Sequence, residues 1–184
     1  MSKITNCKRC NLSYHRKQVV IGSGNKQANI LVVGEAPGLI EDKTGKGFVG
    51  IAGMHKELGI RILLKEEGLL HDCYFANVVK CKPPSNREPK NNEISKCFPI
   101  LLKQIDLLKP RIIILAGSIP AQVFGLKQIT TSRGKIYNWV RGEITYKLCP
   151  IYHPIYVIRN NSNVELVNKY IKDIKQIKKL WQKL

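Results

Sequence analysis

The sequence is short of carboxylates. Asp and Glu together number 13 against 31 Lys and Arg, leaving a formal net charge of +18. A field of that sign attracts polyanions, because each phosphate neutralised by Lys or Arg releases a condensed counterion. A coding bias toward Lys, Ile and Asn would produce the same excess as a merely solvated surface, so charge alone does not name the partner. Also missing is any apolar run near the roughly 20 residues a helix needs to cross a bilayer, which excludes a membrane-spanning helix. Met1 to Cys10 is polar and lacks a signal-peptide pattern, so a cytoplasmic, nucleoid-associated location is expected. There is no internal repeat and no low-complexity linker.

What is present suits one compact domain. The 184 residues are 43% hydrophobic, enough to bury a core without disulfides. A single domain over 1–184, acting as a monomer, is expected. The six cysteines, in a reducing compartment, point to metal or cluster ligation or to buried thiols.

The apolar run Ile30 to Val33 reads as a buried strand that ends in the turn Gly34-Glu35-Ala36-Pro37-Gly38. A Gly-rich loop from Lys43 to Gly53 and a helix over about Met54 to Glu67 follow. Cys73 to Val79 reads as a second strand, and Pro83, Pro84 and Pro89 make a loop of what comes next. Ile94, Phe98, Leu101, Leu102, Ile105 and Leu108 describe one helix face. Arg111 to Leu115 is a third strand, followed by a short helix around Pro120 to Phe124. Residues 127–143 read as an excursion with hairpin character. Tyr146 to Ile151 is a fourth strand, and Val164 to Leu184 a basic amphipathic helix. This alternation predicts an α/β fold of three layers, α/β/α, around a largely parallel four-stranded sheet. Ligands of such sheets collect beyond the carboxyl ends of the strands, where the loops after Val33, Val79 and Ile151 lie.

Taken in order, these segments resemble the family 4 uracil-DNA glycosylases over most of the chain. The resemblance rests on Gly34 to Gly38 with Glu41-Asp42, on Gly45-Lys46-Gly47-Phe48-Val49-Gly50 and Ala52-Gly53, on Asn77-Val78-Val79-Lys80-Cys81 with Pro83 to Pro89, and on His153-Pro154. It implies a DNA glycosylase that flips a base out of DNA and hydrolyses its glycosidic bond, with uracil as the base.

The resemblance also implies roles. Cys7, Cys10, Cys81 and Cys97 would hold a [4Fe–4S] cluster that ties the N-terminal segment, residues 1–28, to the core; zinc could use the same thiolates. Cys73 and Cys149 fall within strands and are expected in the core. Phe48 would stack on the flipped base, and the Asn77 amide would read its edge, each with an ordinary core or capping residue as the alternative. His153 would bond the developing charge at the base's O2, helped by backbone N–H groups of the Gly34 to Ala36 turn. Glu35 and Glu41 both fit the carboxylate that orients water, and one of them could instead wall off thymine. His15, His55 and His71 are expected at the surface. For DNA, Tyr156 or Val157 would fill the vacated stack, with Arg159 on a phosphate; otherwise Val157 and Ile158 pack the last strand. Lys80, Lys82, Arg87 and lysines of the last helix would contact phosphates.

The chain departs from that family at four places. Gly47 stands where Pro is usual, which should loosen the loop carrying Phe48. Met54-His55 replace a Leu pair, the following helix is longer, and Ile155 replaces a Ser. These changes leave open a bulkier modified pyrimidine of phage DNA as substrate, in a defence role. A DNA-binding or lesion-sensing module without catalysis is the reading from another class.

Overall fold

The computed structural model describes residues 4–184. Among them the strands form one six-stranded sheet: β1 (Ser23–Gly24), β2 (Ile30–Gly34), β3 (Cys73–Asn77), β4 (Ile112–Ala116), β5 (Tyr137–Arg141) and β6 (Ile144–Ile151), in the order β1-β3-β2-β4-β6-β5. The four central strands run parallel. This core matches the expected sheet, and two antiparallel edge strands extend it. The excursion at 127–143 holds the short helix α6 (Ile129–Ser132) and supplies one of them, because β5 turns back on β6 as a hairpin. Its alternating exposure, with Asn138 and Val140 facing solvent, is the pattern of a one-sided edge strand.

Strand alternation sorts the core into two layers. Ile30, Val32, Phe75, Ile112, Ile114 and Ile151 face one side and meet the helices α2 (Ile51–Met54), α3 (Ile60–Glu66), α7 (Pro154–Arg159) and α8 (Val164–Trp181). Leu31, Val33, Tyr74, Ala76, Ile113, Leu115 and Leu148 face the other and are covered by α4 (Asn91–Leu108), α5 (Ser118–Val123) and the N-terminal segment. Central strands buried on both faces read as continuous apolar runs, which is why the sequence displays them so plainly.

The helix expected over Met54 to Glu67 is two helices. Gly53 lies under the Phe48 carbonyl, where an added Cβ would stand 1.8 Å from the oxygen, and Gly59 starts α3. Between them His55 accepts from the Leu58 N–H through Nδ1 at 3.2 Å, capping a turn that interrupts the apolar periodicity. Hydrogen bonds from its backbone tie the N-terminal segment to the body. The Val20 N–H donates to the Lys80 carbonyl at 2.8 Å, and the buried Asp42 accepts from the N–H groups of Lys17 and Gln18.

Candidate active site

The parallel register places Gly34 opposite Asn77 at the carboxyl ends of adjacent strands, with β6 ending at Ile151 just before His153. Beyond these ends lies a cleft of about 590 Å³ whose walls include Glu35, Ala36, Glu41, Phe48, Asn77, Arg87, Glu88, His153 and Arg159. The three loops expected at the strand ends therefore share one cavity, of a size that takes a small ligand. Gly34 is buried against two of these walls, Asn77 and Phe48, and its missing side chain is what lets them close in. A Cβ there would stand 2.5 Å from both Asn77 Oδ1 and Phe48 Cζ.

The two candidate carboxylates differ in what they do. Glu41 is buried and accepts the Gly50 N–H at 2.7 Å, bracing the helix α1 (Leu39–Thr44) against the start of α2. Glu35 is half-buried in the cleft wall, and no side-chain hydrogen bond holds it among the described residues. Burial, and then the charge of Glu88, raise its pKa from 4.5 to about 7. A carboxyl that titrates near neutrality in a cleft can exchange a proton with a reacting group, whereas one committed to a backbone N–H mainly holds structure.

His153 caps α7, accepting the Ile155 N–H on Nδ1 at 3.2 Å. Burial, and then Arg159, lower its pKa to about 4, so the ring is neutral at pH 7. A neutral imidazole whose Nδ1 accepts must carry its hydrogen on Nε2, which leaves one N–H free to donate. Gly117 backs the ring, since a Cβ on it would lie 3.1 Å from the His153 Cβ.

Phe48 has φ +55° and is 4% exposed. Its ring packs against Phe75 at 5.7 Å between centroids. The loop before it is not loose. The Gly47 N–H, which a proline would lack, donates to Ser23 Oγ at 3.0 Å, and Arg61 donates to the carbonyls of Gly47 and Phe48 at 2.8 and 2.9 Å. Gly47 exchanges proline's stiffness for these ties. Asn77 is buried and accepts Lys80 Nζ on its backbone carbonyl at 2.7 Å, while no protein group bonds its side-chain amide among the described residues.

Two expected DNA contacts are corrected. Lys80 is 1% exposed, its ammonium turned inward to Asn77, and it cannot reach a phosphate. Val157 is 0% exposed because α7 turns it into the core beside α8, so it cannot fill a vacated stack. Tyr156 and Arg159 are exposed, and Arg87 stands at the cleft with its guanidinium forked onto Glu93. Sequence reasoning missed three features here: Arg61, Glu88, and the rim residues Leu39 and Ile40. Helix α1 is inverted, exposing Leu39 and Ile40 while burying Glu41 and Asp42. An apolar pair directly before an acidic pair was the available signal.

Behind the site, Cys7, Cys10, Cys81 and Cys97 line a second, smaller cavity with Arg16, Lys80 and Ile100. None of the six cysteines is in a disulfide. Arg16 donates to Cys81 Sγ at 3.4 Å and the Lys80 N–H to Cys97 Sγ at 3.3 Å, the donors that thiolate ligands accept. Among the described residues no three His, Cys, Asp or Glu side chains are arranged around a single metal ion. Cys73 and Cys149 lie in the core as expected. No helix is long and apolar enough to cross a membrane among those described.

Residues 21–184 match the model of the uracil DNA glycosylase superfamily. A type-4 uracil-DNA glycosylase of Thermotoga maritima is 40% identical over 185 residues, covering 98% of this chain and 92% of that protein. One of Pyrobaculum aerophilum is 38% identical over 162 residues, covering 85% and 81%. A DNA polymerase of Bacillus phage SP01 is 31% identical over 156 residues, 83% of this chain but 16% of the polymerase.

Proposed function

The chain belongs to the uracil DNA glycosylase superfamily, among its type-4 members, and from that premise we propose that it removes uracil from DNA by hydrolysing the bond between base and deoxyribose. The observation that carries the reading is the one cleft that gathers Phe48, Asn77, His153 and Glu35. The flipped uracil stacks on Phe48, and the Asn77 amide, free of protein partners, meets O4 and N3–H with a donor and an acceptor. Cytosine presents the reverse pair and is refused.

As the C1′–N1 bond breaks, its electron pair leaves with the base and charge grows on O2. The neutral His153 donates its Nε2 hydrogen bond there, an interaction stronger in the transition state than in the ground state. Backbone N–H groups of the Glu35-Ala36 turn assist. Glu35, ionised, faces the cationic sugar and orients the water that adds to C1′, taking up its proton. Glu41 braces the loop and narrows the site around C5. Arg87, Arg159 and Tyr156 meet the DNA outside the cleft, with the apolar Leu39 and Ile40 at its rim. The protein works as a single domain and a monomer, in the cytoplasm on chromosomal DNA.

Cys7, Cys10, Cys81 and Cys97 hold a [4Fe–4S] cluster in this reading, which fits a donor set of four thiols walling one cavity with N–H groups aimed at two sulfurs. Such a cluster supplies a cross-link between the N-terminal segment, the loop after β3 and α4. The relatives' names favour uracil over a bulkier phage pyrimidine, and a titrating Glu35 in a formed cleft favours an enzyme over a binding module. Incubated with an oligonucleotide carrying one uracil, the protein should leave an alkali-labile abasic site; strand integrity after alkali, with DNA binding retained, would return the binding module to favour.

A further inference from the structure

We propose that Arg61 is a positioning residue for base recognition: its guanidinium, forked onto the carbonyls of Gly47 and Phe48 on either side of the Phe48 Cα, holds the stacking ring in place. The inference rests on the reading of Phe48 as the base platform. With φ +55°, Phe48 occupies the left-handed region that a bulky L residue adopts only when its surroundings over-determine it.

Those surroundings converge on one side chain. Arg61 Nε donates to the Phe48 carbonyl at 2.9 Å, and Nη2 donates to the Gly47 carbonyl at 2.8 Å and to Ser23 Oγ at 3.1 Å. The same Ser23 Oγ accepts the Gly47 N–H at 3.0 Å, so the hydroxyl and the guanidinium hold both polar groups of Gly47. The guanidinium carbon lies 3.8 Å over the Phe75 ring, and Phe75 in turn packs against Phe48. Two glycines complete the mould. Gly53 leaves room for the Phe48 carbonyl and Gly34 for the ring's far edge, where a Cβ would stand 2.5 Å from Cζ. Arg61 makes no ion pair among the described residues; its hydrogen bonds all go to this loop and to Ser23. Only a planar fork can serve adjacent carbonyls while stacking on a ring, which a lysine ammonium cannot do.

The test compares wild type with Arg61→Met, which keeps an apolar stem over Phe75, in the intact protein. Single-turnover uracil release should fall roughly 10- to 100-fold, as expected for a misplaced binding surface, with the Kd for uracil-containing DNA nearly unchanged. In a Phe48→Ala background the same substitution should cost less than about twofold, because Arg61 acts through the ring. Amide exchange in the segment 47–50 should quicken about tenfold as the loop loses its anchor. Additive losses in the double variant, or unchanged exchange, overturn the proposal. If Arg61→Met does not fold, Arg61→Lys serves with the same expectations at smaller size. A wild type that releases no uracil defeats the functional reading alone, and the exchange measurement still decides the clamp.

Discussion

Replacing Glu35 by Gln should yield a protein that is more stable and nearly inactive. In the folded state burial, and then Glu88, hold this carboxyl at a pKa of about 7 against an ordinary 4.5. A folded pKa above the unfolded one favours folding fully below pH 4.5, and that advantage is lost as pH rises to 7 and beyond. Each pH unit between the two values corresponds to about 1.4 kcal/mol. The group is partly open to the cleft, so solvent screening reduces the whole effect to about 2 kcal/mol. For a chain of this length that corresponds to about 4–8 °C in Tm. Glutamine keeps the shape and cannot ionise. Thermal unfolding of both proteins from pH 4.5 to 9 should show matching Tm values at the acid end and a gap in favour of Glu35→Gln that opens through pH 7. The wild-type excision rate should climb over the same interval, while the variant stays flat and about 100-fold or more slower. Glu88→Gln should move both midpoints to lower pH by removing a like charge. A Tm gap that does not change with pH would refute the reasoning, as would a Glu35→Gln protein less stable than wild type at pH 8.

Other substitutions probe the remaining roles. His153→Ala should lower the single-turnover rate by about 10²- to 10³-fold while leaving DNA affinity nearly intact, since its bond strengthens as charge develops; equal losses in rate and affinity would contradict that role. Asn77→Asp replaces the amide donor with an acceptor and should shift base choice away from uracil in competition assays, and an unaltered substrate profile would remove Asn77 from recognition. Anaerobically purified protein should be brown with broad absorbance near ~400 nm, and colourless protein with stoichiometric zinc would replace the cluster with an ion. Cys97→Ser should bleach that absorbance and lower Tm, whereas Cys73→Ser should alter Tm without colour loss, because Cys73 lies in the core beside Leu69 and donates to its carbonyl at 3.2 Å.

The parallel core was legible because central strands sealed on both faces must be apolar throughout, as Ile30 to Val33 and Ile112 to Leu115 are. The cleft was legible for a related reason. Gly34, Asn77 and His153 stand at or just beyond strand ends, and a doubly wound sheet delivers those positions to one place. Long-range polar ties were not legible. Nothing local marks Arg61 as the anchor of a loop thirteen residues away, or Lys80 as turned inward to Asn77 rather than outward to phosphate. Packing of Val157 was only the alternative reading. The helix that buries it escaped because six residues are too few to show a period, and Pro154 read as a loop element when it opens that helix at N1. The break between α2 and α3 escaped because His55 and Gly59 interrupt a helix only through contacts that the folded chain provides.

The central claim is uracil excision, and one measurement meets it directly. Single-turnover reactions on DNA carrying uracil, a thymine mismatch, hypoxanthine or a modified cytosine, with the released base identified by mass spectrometry, should give free uracil and an abasic site from the uracil substrate alone or far faster than from the others. Release of a different base with uracil left in place would contradict the account.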